Sequence, residues 1–135
     1  MTGVPLLYDP DCGFCRVSLA LFLRWDTRDR LRPVALGSEE ADSLLAGMPE
    51  EQRMASWHLA LPGRPVRSAG AAFPELFRML PGGRPFAALT ARFPRGSERA
   101  YRLVAGHRSA LGRALPSAAR RWADGVISGS QPDSR

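Results

Sequence analysis

A chain of 135 residues, 44% of them hydrophobic, is long enough to form one domain with a real core and needs no disulfide staples or structural metal to fold. It has no run of the roughly 20 apolar residues that would span a bilayer, and Met1 to Pro10 lack the basic start and apolar stretch of a secretory signal, which points to the cytoplasm. The net charge of +6 is carried by arginines scattered from Arg16 to Arg135, only the Arg113, Arg120 and Arg121 group being clustered, with no lysine or asparagine anywhere, so it reads as the coding bias of a GC-rich genome rather than a nucleic-acid-binding stripe.

Gly3 to Tyr8 is a short apolar run that predicts a buried strand, and Asp9 to Gly13 a polar turn. Phe14 to Trp25 is apolar nearly all round, as expected of a helix packed on more than one side. Leu31 to Leu36 predicts a second strand, placed at a sheet edge by Pro33. Ser38 is an N-cap for a helix through Leu45, with Glu39 and Glu40 in its first turn. Gly47 to Arg53 is a connection with room for one helical turn. Ser56 to Leu61 and Arg64 to Ser68 flank Pro62-Gly63 and predict a hairpin, followed by a helix from Phe73 to Leu80 that Pro81-Gly82-Gly83 ends.

Two further helices are expected, one over Pro85 to Arg92 and a longer one from Glu98 to about Leu115, capped by Ser97. Tyr101, Val104, Arg108, Leu111 and Leu115 fall on one face of the second. Residues 116–135 read as a basic, partly disordered tail following a domain of residues 1–115, with room for one more helical turn after Pro116 and disorder from Ser128 to Arg135. The order is βαβ and then ββα, which predicts an α/β fold of thioredoxin-like type, with a four-stranded sheet and additional C-terminal helices.

The chain has two cysteines, Cys12 and Cys15, three positions apart at the junction of the first strand and first helix. Thiol–disulfide exchange needs one thiolate to attack and a second thiol to resolve the mixed disulfide. Cys12 at a helix start lies among unpaired backbone N–H groups that favour its anion, which makes it the expected nucleophile and Cys15 the resolving thiol. Asp11 opposes that anion and Arg16 supports it. A pair of inert buried cysteines is one competing reading. A dithiol metal site is another, although the available histidines, His58 and His107, lack the spacing of a zinc set.

The run Tyr8-Asp9-Pro10-Asp11-Cys12-Gly13-Phe14-Cys15-Arg16 resembles the DCC family of thiol-disulfide oxidoreductases, named for its Asp-Cys-x-x-Cys motif. Ser56-Trp57-His58-Leu59, Gly63, Arg67 to Ala71, and Tyr101 to Arg108 resemble later family segments, so the likeness runs from about Val4 to Leu111. The resemblance implies a thioredoxin-like fold, dithiol oxidoreductase activity and a substrate that is a disulfide-containing protein or small thiol. One departure concerns the hairpin start, where thioredoxins carry a cis-proline facing the dithiol. Here that place falls at Ser56 or Trp57, and the Ser56 hydroxyl is the candidate to bond a sulfur or the substrate.

Asp9 is expected to cap the active-site turn, with proton exchange at Cys15 as its alternative role. Arg108 is expected to pair with an acid, Asp9 being the candidate, and to pin the last helix near the dithiol. Tyr8, Phe14 and Trp57 are candidates for a docking surface, and His58 for a structural histidine. No phosphate-binding glycine loop or metal set is present, so the chain is expected to use no organic cofactor or metal and to draw electrons from an external thiol. A monomer that avoids membranes and nucleic acid is the expected state. A non-enzymatic module whose disulfide state controls partner binding is the alternative to an enzyme.

Overall fold

Residues 3–130 are described by the structure, a computed structural model. Strand β1 (Val4–Tyr8), helix α1 (Gly13–Trp25) and strand β2 (Leu31–Ala35) form a βαβ unit: a parallel pair of strands needs a crossover, and α1 supplies it. Two short strands follow, β3 (His58–Leu59) antiparallel to β1 and β4 (Arg67–Ser68) antiparallel to β3. The sheet order is β2-β1-β3-β4, which puts β1 inside and Pro33 on an edge strand. Asp26 ends α1 and is buried; its carboxylate accepts the N–H groups of Arg30 and Leu31 at 3.0 and 2.8 Å, closing the turn into β2.

An interior strand alternates its side chains between two covered faces. Leu6 and Tyr8 point to a core shared with Leu19, Leu23, Leu59, Leu76 and Ile127. Leu7 points the other way, to Val34, Leu36, Ala41 and Leu45. Helix α2 (Glu39–Leu44) covers this second face; Ser38 Oγ accepts the Ala41 N–H at 3.2 Å, as the cap pattern predicts. Helix α3 (Glu50–Ala55) fills the connection before β3. The hairpin is shorter than its sequence suggests. Only two residues pair on each side, and Gly63 turns the loop with φ +70°.

A 3-10 turn (Ala69–Ala72) leads into α4 (Phe73–Met79), with Pro74 in the first helical turn where its missing N–H costs nothing. Helix α5 (Arg84–Arg92) follows as expected. The long helix expected from Glu98 to Leu115 is instead two, α6 (Pro94–Gly106) and α7 (Arg108–Ala114), broken at His107. Gly106 weakens the helix at that point, and the break lets α7 lay Gly112 against the start of α1. A Cβ at Gly112 would sit 3.3 Å from the Phe14 nitrogen. Ser97 is no cap; its hydroxyl donates back to the Phe93 carbonyl at 2.9 Å inside α6.

The largest correction concerns the expected tail. Ser117–Ser130 form helix α8, which packs along α1 and buries Ala123 and Ile127. The remaining tail residues, 131–135, lie outside the described part. Among the described residues no helix is long and apolar enough to cross a membrane.

His58 is 1% exposed. Its Nε2 donates to the Arg53 carbonyl at 2.9 Å, and in the neutral ring Nδ1 accepts from the Ser68 hydroxyl at 2.5 Å. Burial pulls its pKa down, against the Arg53 bond that raises it. A depressed pKa means that the unfolded chain takes up the proton first. Stability is therefore flat above the unfolded value of about 6.5 and falls below it, by at most about 1.4 kcal/mol per pH unit. Urea unfolding at about pH 7.5 and pH 5.5 measures the fall, which His58→Gln should largely remove.

Candidate active site

Everything at the dithiol starts from the turn after β1. The Asp9 carboxylate accepts the Asp11 N–H at 2.9 Å, and the Cys12 N–H points to the Asp9 carbonyl at 3.4 Å. This is an Asx-type turn, in which a short acidic side chain replaces a backbone acceptor. Arg16, one turn into α1, donates to the Pro10 carbonyl at 2.6 Å and lies 3.0 Å from the Asp124 carboxylate of α8. The active-site turn is thus tied to two helices by one guanidinium.

Cys12 is the N-cap of α1, and its sulfur accepts the Cys15 N–H at 3.4 Å. A sulfur in that position receives one of the helix's orphan donors and the positive end of its dipole. Cys15 is held differently. Burial above all pushes its thiol up to about 12, helped by its hydrogen bond to Cys12, the Cys12 charge and Asp9, and opposed by Arg108. Both cysteines are half-buried and free.

The two sulfurs open onto different spaces. Cys15 lines an apolar cavity of about 310 Å³, walled by Tyr8, Phe14, Ser56, Trp57, Phe73, Tyr101 and Val104 among others. Cys12 lines a polar cleft of about 360 Å³ with Asp9, Asp11, Gly13, Arg16, Arg108, Ser109, Gly112, Arg113 and Arg120. Asp9 and Arg108 belong to both and mark where the spaces meet. The aromatic wall is braced: Trp57 and Phe73 rings lie 5.2 Å apart, and the Trp57 N–H reaches the Tyr101 hydroxyl at 3.4 Å. Burial raises the pKa of that phenol, chiefly by desolvation. At the base of α6, the Gly70 N–H donates to Glu98 at 3.0 Å, and a Cβ on Gly70 would lie 2.8 Å from the Glu98 backbone.

Tyr8, Phe14, Ser56 and Trp57 therefore come together beside Cys15, and Asp11 stands beside Cys12. The expected ion pair between Arg108 and Asp9 is not formed. Asp9 is turned to the Asp11 N–H, and Arg108 Nη2 instead donates to the Met54 carbonyl at 3.4 Å. Its charge still acts on Cys15. Sequence reasoning did not name Phe73, Tyr101, Val104, Arg113 or Arg120 as site residues. Their signals were present, in the Tyr101–Val104–Arg108 face and in the C-terminal arginine group, but the target of each is set by how α6, α7 and α8 fold back over α1. No group of three or more His, Cys, Asp or Glu side chains gathers as a metal set among the described residues.

No curated protein matches the chain, and no solved structure does. The sequence model of one family, the DCC1-like thiol-disulfide oxidoreductases, matches residues 6–114, a span that holds the cysteine pair, both cavities' central walls and most of the fold. The chain belongs to the DCC1-like thiol-disulfide oxidoreductase family.

Proposed function

We propose that this protein is a dithiol–disulfide oxidoreductase on a thioredoxin-like scaffold, in which Cys12 attacks and Cys15 resolves. The sheet order β2-β1-β3-β4, with a parallel first pair and antiparallel remainder, supports the scaffold. The observation that carries the chemistry is the asymmetry of the pair: the Cys12 sulfur accepts a helix N–H, while Cys15 keeps its proton and donates to Cys12.

The Cys12 thiolate attacks one sulfur of a substrate disulfide, and the departing sulfur leaves with the bonding electron pair and takes a proton from solvent. Cys12 is now neutral, so its charge no longer holds the Cys15 proton in place. Cys15 becomes easier to ionise at the step that needs it. Asp9, which lines the same cavity as Cys15 and bonds the Asp11 N–H through one carboxylate oxygen, is the candidate to take that proton on its other oxygen. The Cys15 sulfur then attacks Cys12, releasing the second substrate thiolate and leaving a Cys12–Cys15 disulfide. Two electrons have passed from the protein to the substrate, and an external thiol returns them. No organic cofactor enters this scheme. A monomer working in the cytoplasm, where thiol reductants are abundant, suits it.

Equilibration in glutathione buffers followed by thiol trapping tests the reading. The expected result is a reversible two-electron couple between about −120 and −270 mV. A dithiol that stays reduced under oxidising conditions would remove the assignment.

A further inference from the structure

Resolution of a mixed disulfide is an in-line displacement. The attacking Cys15 sulfur, the central Cys12 sulfur and the departing substrate sulfur lie close to one line, so the substrate group points away from Cys15. Of these two spaces, Cys15 borders the apolar cavity and Cys12 the polar cleft. The group carried on Cys12 is therefore directed into the cleft.

That cleft has an unbalanced charge. Of its four arginines, Arg16 is engaged by Asp124 and the Pro10 carbonyl. Arg113 and Arg108 have no ion-pair partner among the described residues, and Arg108 makes only the long bond to Met54. Arg120 donates to the Leu115 carbonyl at 3.3 Å, yet its buried Nε has no hydrogen-bond partner among the described residues. The acids offer little compensation: Asp9 is occupied by the Asp11 N–H, and Asp11 is exposed. Guanidinium forks match carboxylate and phosphate geometry, and bonds to charged acceptors are about twice as strong as neutral ones. The volume of about 360 Å³ lies within the range of small-molecule pockets.

We infer that the thiol carried on Cys12 is a low-molecular-weight thiol bearing an anionic group, held by Arg113, Arg120 and Arg108. The inference rests on the dithiol reading above and adds to it the substrate class. The step is the one already balanced: attack on R–S–S–R leaves R–S on Cys12 and releases R–SH, and Cys15 then displaces the second R–S.

The test measures oxidation of the reduced protein by three small disulfides: dithiodipropionate (anionic), hydroxyethyl disulfide (neutral) and cystamine (cationic). Each rate is divided by that of dithiothreitol with the same disulfide, which cancels intrinsic reactivity. The expected normalised preference for the anionic over the cationic disulfide is about tenfold or more, the size of one charged hydrogen bond, and it shrinks as salt is added. Arg113→Gln and Arg120→Gln each reduce the preference, and Arg113→Glu, on an exposed side chain, reduces it further; Arg99→Gln, an exposed arginine outside the cleft, leaves it unchanged. Equal normalised rates for all three disulfides, unaffected by the arginine variants, overturn the inference while leaving the dithiol reading intact. Rates with every disulfide no higher than those of Cys12→Ser overturn both.

Discussion

Cys15→Ser accumulates a stable mixed disulfide on Cys12 when mixed with a small disulfide, whereas Cys12→Ser forms none and loses turnover. The expected loss is roughly a thousandfold or more, the scale on which removal of a nucleophile acts in other enzymes. The reason lies in the helix start. The Cys12 sulfur receives the Cys15 N–H at 3.4 Å, while burial and Cys12 itself keep Cys15 protonated up to about 12. A serine at Cys15 keeps the small side chain but has no sulfur with which to displace the substrate, so the first step proceeds and the second cannot. Intact mass measured without reductant reads the outcome, as a gain of one substrate thiol on Cys15→Ser. The same adduct on Cys12→Ser instead would reverse the two roles.

Ala123→Asp unfolds a large share of the protein. Ala123 is fully buried in the contact of α8 with α1, and a carboxylate there enters an apolar packing surface without a partner. An uncompensated buried charge costs about 3–5 kcal/mol, a large part of the roughly 5–15 kcal/mol that holds a domain together. Arg121→Gln, two positions earlier on an exposed side of the same helix, stays within about 0.5 kcal/mol of the parent. Urea denaturation of the two variants makes the comparison. Equal stability would return residues 117–130 to the status of a dispensable tail.

That second expectation marks where reading the chain alone stopped. The βαβ opening was legible because Val4 to Tyr8 and Leu31 to Ala35 are short apolar runs joined by one helix, and a parallel pair leaves few other solutions. Ser38 was legible as a cap because its hydroxyl needs only a neighbour three residues on. Cys12 and Cys15 were legible because the spacing of one helical turn is itself the geometry of the chemistry. All of these are local, decided within a few residues by propensity, capping and periodicity.

What local pattern could not decide was which face meets which. α1 is apolar nearly all round, a sign that something must cover its second side, but Ala123 and Ile127 lie among arginines and glycines that dilute the stripe on α8. The break at His107 depends on α7 finding the bare surface of Gly112 against Phe14. The position of Arg108 depends on Asp9 already being spent on its own turn. The sequence by itself determined the dithiol, its helix start and the order of strands. Tertiary structure alone decided that Cys15 faces an aromatic cavity and Cys12 an arginine-lined cleft, because those walls come from helices distant in the chain that are brought together only by burial of the faces they share.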